Sequence, residues 1–270
     1  MSEKSILLVV APDEHYLQSV AEPAARRGLV DELRCVWTPT QENFDKAMGF
    51  IKGARRLIIA KGMIETKPFL QLLLRHKVDD KKVLLGPEGF LSHCFVMSKK
   101  PNWWTPRGRP VIIADCAVAI APGPDDKAKI AKNAIDLARR LLHKKRPVVS
   151  FLTPQGKLNP DIKSSVDATA AIEILEAAGV DAEMRLDQAD TAMTATARKI
   201  KGLPGGPADI MIVSGLDEGN TAFKIFTQEA GWDAAGLVCG SSVPVVLNSR
   251  ADDPKSKILA IEYASRLLQR

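Results

Sequence analysis

Short apolar runs at 5–11, 56–60, 82–85, 92–97, 110–115, 147–152, 208–213, 235–239 and 243–247 alternate with longer segments whose apolar residues recur every three or four positions. Most of these runs have no polar face at all, which is the pattern of a strand covered on both sides. The longer segments have one apolar stripe, which is the pattern of the helices that do the covering. Together they predict an α/β chain of mostly parallel sheets covered by helices. Three helices are plainest. The segment 126–142 puts Ile130, Ala134, Leu137, Ala138 and Leu141 on one stripe. The segment 164–178 opens with Ser164 and Asp167 three apart, a weak capping-box pattern, and stops at Gly179. The segment 254–268 buries Ile258, Leu259, Ile261, Ala264 and one of Leu267 and Leu268.

At 270 residues the chain is long enough for two moderate domains, each with its own core. It is 46% hydrophobic and 26% charged, and no apolar run approaches the roughly 20 residues that span a bilayer, so no membrane role is expected. Met1-Ser2-Glu3-Lys4 leads at once into the first apolar run, which is too short for a signal peptide, and a cytoplasmic location is expected. Cys35, Cys94, Cys116 and Cys239 lie far apart in apolar segments, as small buried hydrophobes do, and suggest neither a metal site nor a disulfide framework.

The net charge of +6 arises in the first 110 residues, with 18 Lys and Arg against 12 Asp and Glu, while the remainder balances 20 against 20. That asymmetry favours a small anionic ligand. Nucleic acid is disfavoured because the two Tyr and eight Phe do not interleave with basic residues. The run His143-Lys144-Lys145-Arg146 follows a helix and fits its C-terminal dipole. The stretch 98–109, with Trp103 and Trp104, is expected to be a basic loop that packs against the protein or a partner. Gly202-Leu203-Pro204-Gly205-Gly206-Pro207 lacks a phosphate-loop ending and serves as a connector.

The stretch from Val243 to Pro254 carries the most chemical information. An apolar strand delivers Ser249 and Arg250 to the start of the last helix, where Asp253 and Pro254 fit the N-cap and first helical positions. Unpaired N–H groups, the helix dipole and a forked cation together make an anion site. The same residues also fit a simple helix cap, and both readings stand at this point.

Ala114-Asp115-Cys116-Ala117-Val118-Ala119-Ile120-Ala121-Pro122, followed by Lys127 and Ile130-Ala131-Lys132-Asn133-Ala134-Ile135, resembles the phosphate acetyltransferase and phosphate butyryltransferase family. The resemblance continues in order through Asn159-Pro160, Ser165-Val166-Asp167-Ala168, Lys201-Gly202, Ala208-Asp209-Ile210, Glu218-Gly219-Asn220, Ala235-Gly236-Leu237-Val238-Cys239-Gly240 and Ser249-Arg250-Ala251-Asp252. Upstream, the segment from Lys61-Gly62 to Thr66-Lys67 and the triplet Leu91-Ser92-His93 are similar to the butyryl branch.

The resemblance implies a two-domain fold of the isocitrate/isopropylmalate dehydrogenase type. Residues 1–114 and 248–270 would form one domain and 115–247 the other, with the active cleft between them. It implies reversible transfer of a short acyl group between coenzyme A and phosphate, without a metal or a cofactor, coenzyme A being a substrate. A homodimer is expected. Ser249 would donate to the reacting carbonyl oxygen and Arg250 would hold phosphate. Lys61, Thr66, Ser92, Asp190, Asn220 and Asp252 would bind substrate, with Asp252 or Asp253 available as base and His93 a weaker candidate.

The match departs from the family at named places. Gln71 stands where the butyryl branch has an arginine, and Gly86-Pro87-Glu88-Gly89-Phe90 replaces a basic run. Arg185-Leu186 replaces a Gly-Pro, and Ser256 stands where the acetyl branch has an aspartate. Lys67, Arg75, Lys81, Lys82, Arg107 and Arg109 are candidates to supply the lost charge. A second reading follows from these losses: a homologue that binds coenzyme A or acyl phosphate in a regulatory role without turnover.

Overall fold

The computed structural model describes residues 4–51, 56–78, 84–99 and 108–268. The chain divides into two compact units, Met1–Leu91 with Ala234–Arg270, and Ser92–Asp233. The sequence reading placed these divisions after residues 114 and 247. Strand pairing agrees with the difference: the strand Ser92–Ser98 pairs with Val111–Ala114 within one unit, and Leu237 and Val238 pair with Val246 and Val245 within the other.

The first unit carries β1 (Ile6–Val10), β2 (Glu32–Val36), β3 (Leu57–Lys61), β9 (Asp233–Cys239) and β10 (Val245–Val246) in the order β2-β1-β3-β10-β9. All neighbours are parallel except β10 and β9, which pair antiparallel through Val245 with Val238 and Val246 with Leu237. The second unit carries β4 (Ser92–Ser98), β5 (Val111–Ala114), β6 (Val148–Leu152), β7 (Glu183–Asp187) and β8 (Ile210–Ile212) in the order β4-β5-β8-β6-β7. Here β4 runs antiparallel to β5, with Cys94 opposite Ala114 and Met97 opposite Val111, and the other pairs are parallel.

The central strands are buried on both faces: Leu7, Leu8, Ile58 and Ile59 in the first unit, Ile112 and Phe151 in the second. Burial of each such side chain contributes about 1.5–3 kcal/mol. β2 and β7 have no counterpart among the expected strands, and the reason is their place at the sheet edges. Glu32 and Arg34 on β2, and Glu183 and Arg185 on β7, pair with each other on the open side, so neither strand has an unbroken apolar run. The expected strand at 82–85 lies partly outside the described residues, and its Leu85 forms an isolated bridge with Ser241.

The expected helices form as Pro124–Leu141, Lys163–Ala177 and Pro254–Leu267. The first begins two residues earlier than expected because Pro124 takes the first helical position after Gly123. The expected capping box does not form in the second. Ile162 is its N-cap, Ser165 Oγ accepts instead from the Asn159 N–H, and Asp167 pairs with Lys163. Its C-terminus does close as expected: Gly179 takes φ +67°, with its N–H on Glu176 O and the Val180 N–H on Leu175 O. No helix among the described residues is long and apolar enough to cross a membrane. Cys94, Cys116 and Cys239 are buried and Cys35 half-buried, all as free thiols.

One glycine fixes the end of β3. The Gly62 N–H donates to Val10 O and the Met63 N–H to Ala11 O, which draws the chain across the end of β1. A Cβ at position 62 would lie 2.3 Å from Ala11 O and 2.8 Å from Val10 O, both backbone atoms that cannot swing away. Gly62→Ala is therefore expected to destabilise the protein by about 1–3 kcal/mol, read as a lower urea midpoint at unchanged slope.

Candidate functional site

In a parallel sheet the carboxyl ends of the strands lie together and form the usual ligand edge. β1, β3 and β10 end this way in the first unit, and the register of Val246 with Ala60 brings the residues after β10 alongside Lys61 and Gly62. Lys61 is the last residue of β3. Ser249 to Asp252 form a turn closed by the Asp252 N–H on Ser249 O at 3.1 Å. The Asp252 carboxylate binds back, accepting from the Ser249 N–H at 2.9 Å and from Asn248 Nδ2 at 3.1 Å.

The next residue settles the question of the helix start. Asp253 Oδ1 accepts from the Ser256 N–H at 2.6 Å and so caps the final helix. Capping thus falls to Asp253, which leaves Ser249 and Arg250 exposed on the turn before it. The Arg250 guanidinium makes no hydrogen bond or ion pair with any described residue. Asp252 is occupied by its two donors and builds the turn, a role different from that of a free base.

Lys61 is almost wholly buried, and its ammonium donates to Ile64 O at 3.0 Å and Gly62 O at 3.4 Å. Loss of water pulls its pKa from 10.5 down to about 8, with the nearby Arg250 and Lys257 charges adding to the fall and Asp252 opposing it. Lys257, on the first turn of the final helix, is also buried and also shifted down by desolvation, against the pull of Asp252, Asp13 and Asp253. Lys61 and Lys257 therefore share the field of Asp252, and Lys61 also feels the Arg250 charge. Two of these positive charges are poorly hydrated, and the exposed Arg250 guanidinium lies beside them, which suits an oxyanion.

The remaining candidates lie elsewhere. Thr66 opens the helix Thr66–Arg75 in the first unit, half-buried, after an N-cap residue, Glu65, that makes no side-chain cap. Ser92 belongs to the second unit and is fully buried, its Oγ accepting from Asn133 Nδ2 at 3.0 Å, so it packs the helix Pro124–Leu141 against β4. His93 is fully buried too, with its ring edge-on to Phe95 at 4.4 Å. Asn220 is half-buried within the helix Leu216–Lys224, four residues beyond its start. Asp190 lines a cavity of about 560 Å³ at the carboxyl ends of β6 and β8, beside Thr153, Ser164, Ser214 and Glu218. Its carboxylate pairs with Lys201 at 2.8 Å, which holds its pKa below the usual range. Burial and the Asp115 carboxylate push the Cys116 thiol up, so it offers no thiolate.

The model of the family described as phosphate acetyl/butaryl transferase matches residues 81–264, more than half of the chain. The chain belongs to this family. A phosphate acetyltransferase of Rickettsia felis is 29% identical over 231 residues, covering 84% of this chain and 63% of the relative. The matched segment thus spans less than two thirds of that relative's length. A phosphate butyryltransferase of Clostridium acetobutylicum is 24% identical over 266 residues, covering 97% of this chain and 80% of the relative. Among solved structures, a branched-chain phosphotransacylase from Enterococcus faecalis superposes with a TM-score of 0.80 at 25% identity, covering 98% of this chain and 99% of that one.

Against the family pattern, the lost basic run is a turn closed by the Gly89 N–H on Gly86 O, with Gly86 tied to Gly240. It presents no cation. Among the candidate replacements, Arg109 is spent on Asp209 at 2.6 Å and on Ala208 O, while Lys81, Lys82 and Arg107 lie outside the described residues. Arg185 is tied to Asp187 and Glu183. The charge beside Arg250 comes instead from Lys61 and from Lys257, which the sequence reading missed. Its signal was present: Lys257 precedes Ile261 and Ala264 at helical spacing, a lysine on the apolar stripe.

Sulfate keeps a fixed charge over the titration range of Lys61, which isolates the lysine's contribution. Sulfate affinity is expected to fall as pH rises above about 8, where free Lys61 sheds its proton, and to stay nearly flat in Lys61→Arg. Isothermal titration calorimetry between about pH 7 and pH 9.5 reads the difference.

Proposed function

We propose that this chain moves a short acyl group reversibly between coenzyme A and phosphate, acyl-CoA plus phosphate giving acyl phosphate plus coenzyme A. The observation that carries the reading is the exposed Ser249-Arg250 turn, its guanidinium unpaired among the described residues and near buried Lys61, in a chain that belongs to the phosphate acetyl/butaryl transferase family. The relatives' names add to it.

A phosphate oxygen attacks the thioester carbonyl, the C–S bond breaks in the tetrahedral intermediate, and the sulfur leaves as thiolate and takes up a proton. Arg250 and Lys61 hold the phosphate, and the Ser249 hydroxyl donates to the oxygen on which negative charge develops. Coenzyme A is a substrate, and the reading includes no cofactor and no metal. Asp190 and Asn220 remain substrate-binding candidates, as does Thr66. The reading also takes the two units as the domains of an isocitrate dehydrogenase-like fold and the protein as a cytoplasmic homodimer.

A second reading, a binding protein without turnover, is favoured by Gln71 and by the turn Gly86–Gly89, which carries Glu88 and no cation. The deciding measurement is thiol release from acetyl-, propionyl- and butyryl-CoA, with and without phosphate. Phosphate-dependent release is expected from the wild type, lowered about 100-fold to 1000-fold in kcat by Ser249→Ala and further impaired in phosphate KM by Arg250→Ala. Binding of coenzyme A or acyl phosphate without any release would establish the second reading.

A further inference from the structure

Lys257 is electrostatically out of place. It is the fourth residue of the helix Pro254–Leu267, in the first turn, where the positive end of the dipole repels a cation. It is also buried, at 8% exposure, and burial of an ammonium costs hydration that must be recovered from specific partners. The partners are on the turn that carries Ser249 and Arg250. Lys257 Nζ donates to the Arg250 carbonyl at 2.9 Å, the Asp252, Asp13 and Asp253 carboxylates lie in its field, and its ammonium sits 5.9 Å from the centre of the Tyr16 ring.

The turn has few other restraints. Asp252 ties its start, at the Ser249 N–H, and its close, at Ser249 O, and Ser249 Oγ accepts from the Ala251 N–H at 3.4 Å, a long and therefore weak restraint on the Arg250 peptide. The Arg250 carbonyl is held by Lys257, from a helix rooted in the core by Ile258, Ile261 and Ala264. We propose that Lys257 is a positioning residue for Arg250, anchoring the carbonyl so that the exposed guanidinium is presented to phosphate already oriented. Its ammonium adds a further positive charge to the field of the same anion. The proposal rests on the acyl-transfer reading for its kinetic expression only.

The test uses Lys257→Met, which keeps an apolar stem of similar length, and Lys257→Arg, which keeps a donor and the charge. Loss of a charge-assisted hydrogen bond at the site predicts a phosphate KM at least roughly 10-fold higher in Lys257→Met, with acyl-CoA KM within about 2-fold of wild type. Lys257→Arg is expected to recover most of the loss. In an Arg250→Ala background, Lys257→Met should add little, because the residue it positions is gone. A rise of both KM values together, or effects that multiply fully with Arg250→Ala, would overturn the proposal.

A thermal melt checks that each variant is folded, and Lys257→Gln replaces the methionine variant if that one is not. Should the wild type release no thiol, the acyl-transfer reading fails by itself. The positioning claim is then read from calorimetric binding of inorganic phosphate, expected at least roughly 10-fold weaker in Lys257→Met and restored in Lys257→Arg. Equal phosphate affinity in wild type and Lys257→Met sinks it.

Discussion

An ammonium buried among apolar strands must be compensated, and the first unit compensates two of them at one strand edge. Lys61 has two backbone carbonyls and Lys257 has the Arg250 carbonyl, while Asp252 contributes the opposing charge nearby. Lys61 is not free to drift, because its carbonyls belong to a turn fixed by Gly62 against Ala11, and Lys257, carried by the core-rooted final helix, in turn holds the Arg250 carbonyl. The conformation of Ser249 and Arg250 is therefore set in part by charge compensation beneath them, while both residues stay exposed and the Arg250 guanidinium pairs with no described residue. This is the arrangement a site needs if its polar groups are to be spent on a ligand.

Division of labour among three neighbouring polar residues explains why one reading of the stretch before the last helix could not exclude the other. Asp252 closes the turn, Asp253 caps the helix, and Arg250 does neither. A cap and an anion site compete only if the same N–H groups serve both. Here the cap uses the Ser256 N–H, one turn into the helix, and leaves the Ser249-Arg250 turn outside the hydrogen-bonded ladder. Sequence places these residues next to each other without saying which oxygen accepts from which nitrogen.

The same limit governs how much of the fold was legible. β1, β3, β5 and β6 were readable because a strand covered on both faces is a short, nearly unbroken apolar run, and the flanking turn residues and β-branched content set these runs apart from helix segments. β2 and β7 escaped because edge strands carry charges on their open side, and Glu-x-Arg spacing does not distinguish an edge strand from a loop. Lys61, Ser249, Arg250 and Asp252 were legible as a group through the ordered motif series. Ser92 was carried along by the same series, yet its hydroxyl is spent on Asn133 inside the core, a contact 41 residues away that no local pattern encodes. Lys257 failed to register for the opposite reason: a charged residue on an apolar stripe looks like noise in a periodicity, and only the carbonyl it reaches gives it meaning.

Reliance on buried lysines changes what the site can do as well as how strongly it binds. An arginine stays charged at every working pH and offers a rigid fork, so it fixes the orientation of an anion without responding to conditions. A lysine is a point charge whose proton is negotiable. With Gln71 and the Gly86 turn in place of basic residues, orientation here falls chiefly to Arg250, while Lys61 supplies a charge whose pKa of about 8 lies close to neutrality. Arrival of a doubly charged anion would pull that proton on, and its departure would loosen it again. Such coupling makes anion binding and protonation of Lys61 two sides of one equilibrium, a linkage that a site built wholly on arginine does not have.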